Sequence, residues 1–215
     1  MISYQNIRAA GVAMNSKVVK ATSHLDFNPI RIAKRMTIPV VGRTIVFDGE
    51  AAQNAYFDFW CHEYRVDGKN LLEHVDPAAA DLNALETEFL QASRHARSSF
   101  FQIEEIAHAK PQLRLRDLLE PDRPDVWLTD IGSSDSMRRF RIKPAVFCRL
   151  IVVRDIVMTS GFSFGFEPEY VPGILQACGQ KMKKVPPAEL AEARFVFFFK
   201  KYTQCGIEAT YQDVV

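Results

Sequence analysis

Between residues 100 and 166 the chain switches from helical to alternating periodicity, and this run limits the fold more than any other. Phe101, Ile103 and Glu105 alternate with Gln102, Glu104 and Ile106. Leu113, Leu115 and Asp117 alternate in the same way with Arg114, Arg116 and Leu118. Alternation of this kind sends successive side chains to opposite faces of a strand. DVWLTDI reads as a third strand and residues 138–143 as a candidate fourth. AVFCRLIVV is apolar on both faces and so central, and Arg154-Asp155 turns it into IVMTSGF. Pro111, Pro121, Pro124 and Pro144 fall between the runs, where a sheet tolerates a residue without an N–H. Four or five short antiparallel strands at this spacing predict a small, strongly bent sheet or a barrel.

Helical patterns flank the run. Ile7, Ala10, Met14 and Val18 share a face across residues 4–22, interrupted by Gly11, and Asn28-Pro29 can start a second, short helix. Pro39 and Gly42 break the chain around the short extended piece IPVVGRTIVF. Asp48 or Gly49 then caps a helix running to about Arg65. That helix carries Tyr56, Phe57, Phe59, Trp60, Cys61 and Tyr64 around much of its circumference, so it should pack on more than one side and cover the sheet. After the Asp67-Gly68 turn and a short LLEHV helix, Asp76-Pro77 is expected to start a helix reaching about Ser98, with Leu82, Leu85, Phe89 and Ala96 buried. Beyond Phe166, Pro168 opens a helix with Val171, Ile174, Leu175, Cys178 and Met182 on one face. Pro186-Pro187 breaks it, and PAELAEARFVFFFKKYT reads as a last helix, although FVFFF fits a strand equally well. The fold class expected is α+β: a mainly helical region over 1–98, an antiparallel β module over 99–166 and C-terminal helices over 167–215, packed as one unit.

The order of these pieces resembles a known group. FDFWCHEYRVDGKNLLEHV, RSSFFQIEEI, LRLRDLLEPDRPDVWLTD, AVFCRLIVVRD and SGFSFGF follow one another as in uncharacterised prokaryotic proteins of the SEC-C-associated type. The resemblance spans roughly residues 47–166 and implies a helical region leading into a compact β module. It implies no activity. No cluster of cysteines follows the β module, so the zinc motif of those proteins has no counterpart at any residue of this sequence.

Charge is unevenly spread behind a net +1. Residues 1–43 hold seven Lys/Arg against one Asp, residues 44–137 eight against eighteen acids, and residues 138–215 twelve against seven. Basic ends around an acidic middle favour contact within or between chains, or a basic end meeting nucleic acid. Cys61, Cys148, Cys178 and Cys205 stand far apart, as expected for reduced, buried thiols. The first residues lack the apolar core of a secretory signal and no apolar run approaches membrane-spanning length, so a cytoplasmic location and no membrane partner are expected.

No motif completes a catalytic or metal centre. Asp58 and His62 lie four apart on one helical stripe with Glu50 and Asn54, a usable two-ligand spacing that reads more simply as a solvated acid–histidine pair on the helix surface. Cys61 and His62 point about 100° apart and cannot share an ion. No metal and no cofactor are expected. Ser133, Ser134 and Ser136 read as a polar loop between strands rather than a nucleophile elbow. Asp117 ends a strand beside Arg114 and Arg116, suggesting an ion pair that holds the strand end. The strongest charge feature is MRRFRIK: as a strand it lines Arg139, Arg141 and Lys143 on one face and Arg138, Phe140 and Ile142 on the other. A basic strip with an aromatic can track phosphates and stack bases, and Trp127, Lys181, Lys183 and Lys184 could extend it. It can equally balance the acidic middle at a soluble sheet edge. Three functions remain: a non-enzymatic binding or scaffold protein acting through the β module on a protein partner, a nucleic-acid-binding protein using residues 138–143, and a metal-dependent or hydrolytic enzyme around Asp58, His62 and Asp117.

Overall fold

The computed structural model describes residues 3–132, Ser134, Met137 and 143–207. Four helices precede the strands: α1 (Tyr4–Ala21), α2 (Pro29–Met36), α3 (Glu50–His62) and α4 (Ala84–Arg94). Two small hairpins sit among them, β1 (Val40–Val41) with β2 (Thr44–Ile45) and β3 (Arg65–Val66) with β4 (Lys69–Asn70). Asp67 and Gly68 both take positive φ at the tip of the second hairpin, the conformation its two-residue turn demands. Five strands follow: β5 (Arg97–Ile106), β6 (Gln112–Asp117), β7 (Val126–Thr129), β8 (Ala145–Val153) and β9 (Ile156–Phe166). Helices α5 (Val171–Met182) and α6 (Leu190–Cys205) end the described chain.

The five strands close into a barrel in the order β5-β6-β7-β9-β8, with β8 returning to β5. All pairings are antiparallel except β7 with β9, which is parallel and registered at Leu128 and Val157 alone. The parallel seam follows from the path. The fourth strand crosses to the far side of the first, so the fifth returns beside the third in the same direction. This is a five-stranded Greek-key barrel, the layout of the OB fold.

The alternation sorts side chains between two cores. Phe101, Ile103, Leu113, Leu115, Leu128, Val146 and Cys148 fill the barrel. Phe100, Phe147, Phe162, Phe164 and Phe166 face outward from β5, β8 and β9 and are buried by helices. This is why β8 is apolar on both faces: one face lines the barrel and the other lies under α3 and α6. FVFFF is helical because Phe195, Phe198 and Phe199 recur at i, i+3 and i+4 and so meet one aromatic wall. Phe198 stacks on Phe147 with ring centroids 4.2 Å apart, and Phe195 lies 5.0 Å from Phe162.

Several local expectations change. Asp76-Pro77 opens a turn, with the Asp76 carboxylate accepting from Ala78 N–H. Helix α4 starts after Asn83, whose side chain accepts from Glu86 N–H while the Glu86 carboxylate accepts from Asn83 N–H. Two mutually satisfied donors outcompete the proline signal seven residues earlier. Residues 97 and 98 already belong to β5. Pro168 begins a 3-10 turn, and α5 starts at Val171. Gly11 marks a close crossing: a Cβ there would stand 2.7 Å from the Phe89 ring of α4. Ser134, expected in a polar loop, is helical and fully buried.

Candidate functional site

The outward row of β8 reads Ala145, Phe147, Arg149, Ile151, Val153, and Arg149 is as buried as its apolar neighbours, at 2% exposure. A guanidinium there must find fixed acceptors. Helix α3 and the residue after it supply them. Arg149 Nε donates to Asp58 Oδ1 at 2.9 Å, Nη2 donates to Glu63 Oε1 at 2.6 Å, and Nη1 reaches the Ala96 carbonyl at 3.4 Å. The side chain of His62 is also buried, with Nε2 3.9 Å from Asp58 Oδ2. The stripe expected to be solvated therefore turns inward at its C-terminal half and seals the seam between α3 and the barrel. The pattern alone misses this because its partner, Arg149, is 91 residues away.

Electrostatics follow burial. Burial pushes the Asp58 carboxyl up, opposed by Arg149 and by the nearby Ser160 hydroxyl. Burial and the Arg149 charge hold His62 well below its ordinary value, so the imidazole is neutral near pH 7. Burial pushes the Cys61 thiol up to about 12, and raises Cys148 and Cys178 as well. A neutral histidine beside a carboxylate could move a proton, but here Arg149 bridges two acids in a packed interface, which is the arrangement of a clamp. Among the described residues no three His, Cys, Asp or Glu side chains group to hold a metal ion.

Asp117, the third member of the predicted polar cluster, is elsewhere. It shares the inner face of β6 with Leu113 and Leu115, while Arg114 and Arg116 point outward and cannot reach it. Its partner is Arg97 at 2.7 Å, with Ser99 Oγ donating at 2.6 Å and the N–H groups of Leu119 and Glu120 also donating. The strand-end ion pair exists, but period-two geometry selects an arginine from the neighbouring strand.

The helices leave part of the barrel bare. On β6 and β7, Arg114 bridges Glu105 at 3.2 Å and Asp125 at 2.9 Å, Arg116 pairs with Glu104, and Trp127 stands opposite Arg114 with 40% of its surface exposed. Of the basic strip, Arg138, Arg139, Phe140 and Arg141 lie outside the described residues. Lys143 is described and precedes β8 without belonging to a strand, its Nζ donating to the Glu104 carbonyl and its own carbonyl accepting from Gln102. Lys181 lies over the Phe197 ring between α5 and α6.

No described helix is long and apolar enough to cross a membrane. Neither the curated proteins nor the solved structures contain a match to the chain. A family model does match, over residues 1–212, nearly the full length, and the chain therefore belongs to the family of unknown function DUF7986.

Proposed function

We propose that the chain is a non-enzymatic binding protein that works through the uncovered β6–β7 face of its barrel, on a protein partner. The observation that carries this reading is the one-sided covering of the barrel. Aromatic helices bury the outer surfaces of β5, β8 and β9, while β6 and β7 present Trp127 among exposed charged residues. In barrels of the OB layout the second- and third-strand face is the binding face, for oligonucleotides and oligosaccharides, which supports the place of the site rather than the class of its partner. An exposed tryptophan is the anchor type that dominates interface energetics. The buried Asp58–His62 pair and the raised thiols support binding over chemistry.

Charge favours a protein over a polyanion on that face. Arg114 and Arg116 are each engaged by carboxylates, and a phosphate backbone would meet Glu104, Glu105 and Asp125. A protein segment with its own mixed charges can exchange into these pairs. Single-stranded nucleic acid is the second reading, favoured by the four cations of MRRFRIK, whose last residue, Lys143, is bonded to β5 beside the bare face.

Trp127→Ser and, as a control on another exposed apolar residue, Val152→Ser separate these readings from a passive surface. A protein bound by wild type and by Val152→Ser, but about tenfold or more weaker to Trp127→Ser, supports the first. Salt-dependent binding of a single-stranded oligonucleotide, weakened by Trp127→Ser, supports the second instead. Equal behaviour of both variants sinks the assignment to this face.

A further inference from the structure

We infer that a cleft on the opposite seam, between the start of β5 and the start of α6, is a binding site for a small tetrahedral oxyanion, a phosphate or the phosphoryl group of a small metabolite. The cleft encloses about 330 Å³, at the small end of the roughly 300–1,000 Å³ typical of ligand pockets. Four arginines line it: Arg65, Arg94, Arg97 and Arg194. Their existing partners decide which are available. Arg65 pairs with Glu73 at 3.1 Å, and Arg97 with Asp117 at 2.7 Å. Arg94 donates to the carbonyls of Leu72 and Val75 and, at 3.4 Å, to Gln91 Oε1, so hydrogen bonds hold its fork while no carboxylate among the described residues pairs with it. Arg194 has no hydrogen bond or ion pair among the described residues, and its Nε is buried without a partner. A guanidinium whose Nε is shielded without an acceptor, while its Nη groups stay open to the cleft, gains from an oxyanion that supplies the missing acceptor.

Two further features point the same way. Pro187, Leu190 and Ala191 line the cleft where the 3-10 turn Pro187–Glu189 runs on into α6, and they bring no carboxylate to it. The two acids of the lining are already used: Glu63 is bonded to Arg149, and Glu73 to Arg65 and to Asn70 N–H. His62 on the lining is neutral and adds no charge of its own. Two arginines without carboxylate partners, Arg94 fixed by carbonyls and Arg194 waiting, then define where the anion sits. This site is separate from the β6–β7 face, and either can fail without the other.

The test uses inorganic phosphate on the full chain, against chloride at matched ionic strength. Wild type should melt higher with millimolar phosphate and not with chloride. Arg194→Gln should keep the melting temperature of the phosphate-free protein and bind phosphate about tenfold more weakly, while Arg31→Gln on α2 responds like wild type. As a measurement independent of variants, phenylglyoxal should modify Arg194 in the free protein, and phosphate should protect it. Phenyl phosphate binding tighter than phosphate would assign the site to a phosphorylated metabolite, and the reverse order to the free ion. Equal responses to chloride and phosphate, or an Arg194 that phosphate leaves unprotected, would overturn the site.

Discussion

Arg149 on the fourth barrel strand and Asp58 on α3 meet at 2.9 Å across the seam that joins the barrel to its helices, and both are buried. Glu63 completes the clamp at 2.6 Å. Removing only the cation leaves two carboxylates in an apolar interface. Arg149→Met should therefore destabilise the fold by about 3–5 kcal/mol. Replacing all three together, Arg149→Met with Asp58→Leu and Glu63→Met, should recover much of that loss, because the charges go as a set. Urea denaturation midpoints at constant m-value measure both.

His62 makes stability depend on acid. Its folded-state pKa is depressed, so the stabilisation it carries is fully present above the unfolded value near 6.5 and is lost as pH falls below it. The unfolded chain takes up a proton there that the folded chain refuses. The loss is at most about 1.4 kcal/mol per pH unit from this one group. Asp58, raised by burial, contributes the opposite sign over the range above the ordinary carboxylate value. Comparing wild type with His62→Gln between pH 7 and 5 isolates the histidine: wild type should lose more stability toward acid than the variant, and the difference is the histidine's share.

Gly11 reverses an ordinary expectation. Glycine to alanine inside a helix normally gains about 1 kcal/mol. Here the new methyl would stand 2.7 Å from the buried Phe89 ring, and separating α1 from α4 costs about 1–3 kcal/mol. Gly11→Ala should destabilise the wild type and become neutral or stabilising in a Phe89→Leu background. A double-mutant cycle by thermal unfolding reads the difference.

The thiols should be slow. With the Cys61 pKa at about 12, roughly one molecule in ten thousand presents the thiolate at pH 8, against about a quarter for an unperturbed thiol. Native protein treated with an aromatic disulfide reagent should release the equivalent of Cys205 first, since it is half-buried near the end of α6. Cys61, Cys148 and Cys178 should follow only after denaturant is added.

The parts of this architecture visible in the sequence are those set by neighbours. Alternation shows strand character in β5 and β6, and the inward residues of β6 and of β5 as far as Ile103. There a bulge shifts the phase, so that Ile106, not Glu105, joins the barrel core and Glu104 and Glu105 both pair with outward arginines. The i, i+3, i+4 spacing of phenylalanines decides α6 once a wall to face exists. What was hidden depends on pairing over long distances. A lone arginine inside AVFCRLIVV signals a buried ion pair, yet nothing near it names Asp58 and Glu63. Asp117 sits beside two arginines in sequence and bonds a third, because strand geometry turns sequence neighbours away from each other. The parallel β7–β9 seam is likewise a property of the crossing path, which no single segment encodes. Arg194 carried no pattern at all: its interest comes from the acceptor it lacks.

The row of phenylalanines on the outside of the barrel has a consequence for how the chain is made. Residues 100, 147, 162, 164 and 166 emerge from the ribosome before α6 does, and α6 brings the rings that cover them. A chain ending near residue 185 would hold a finished set of strands with a sticky, unshielded flank. Release of the last helix is then the step that makes the newborn molecule safe from its neighbours, and a chain shortened by that helix should be found in aggregates or on chaperones.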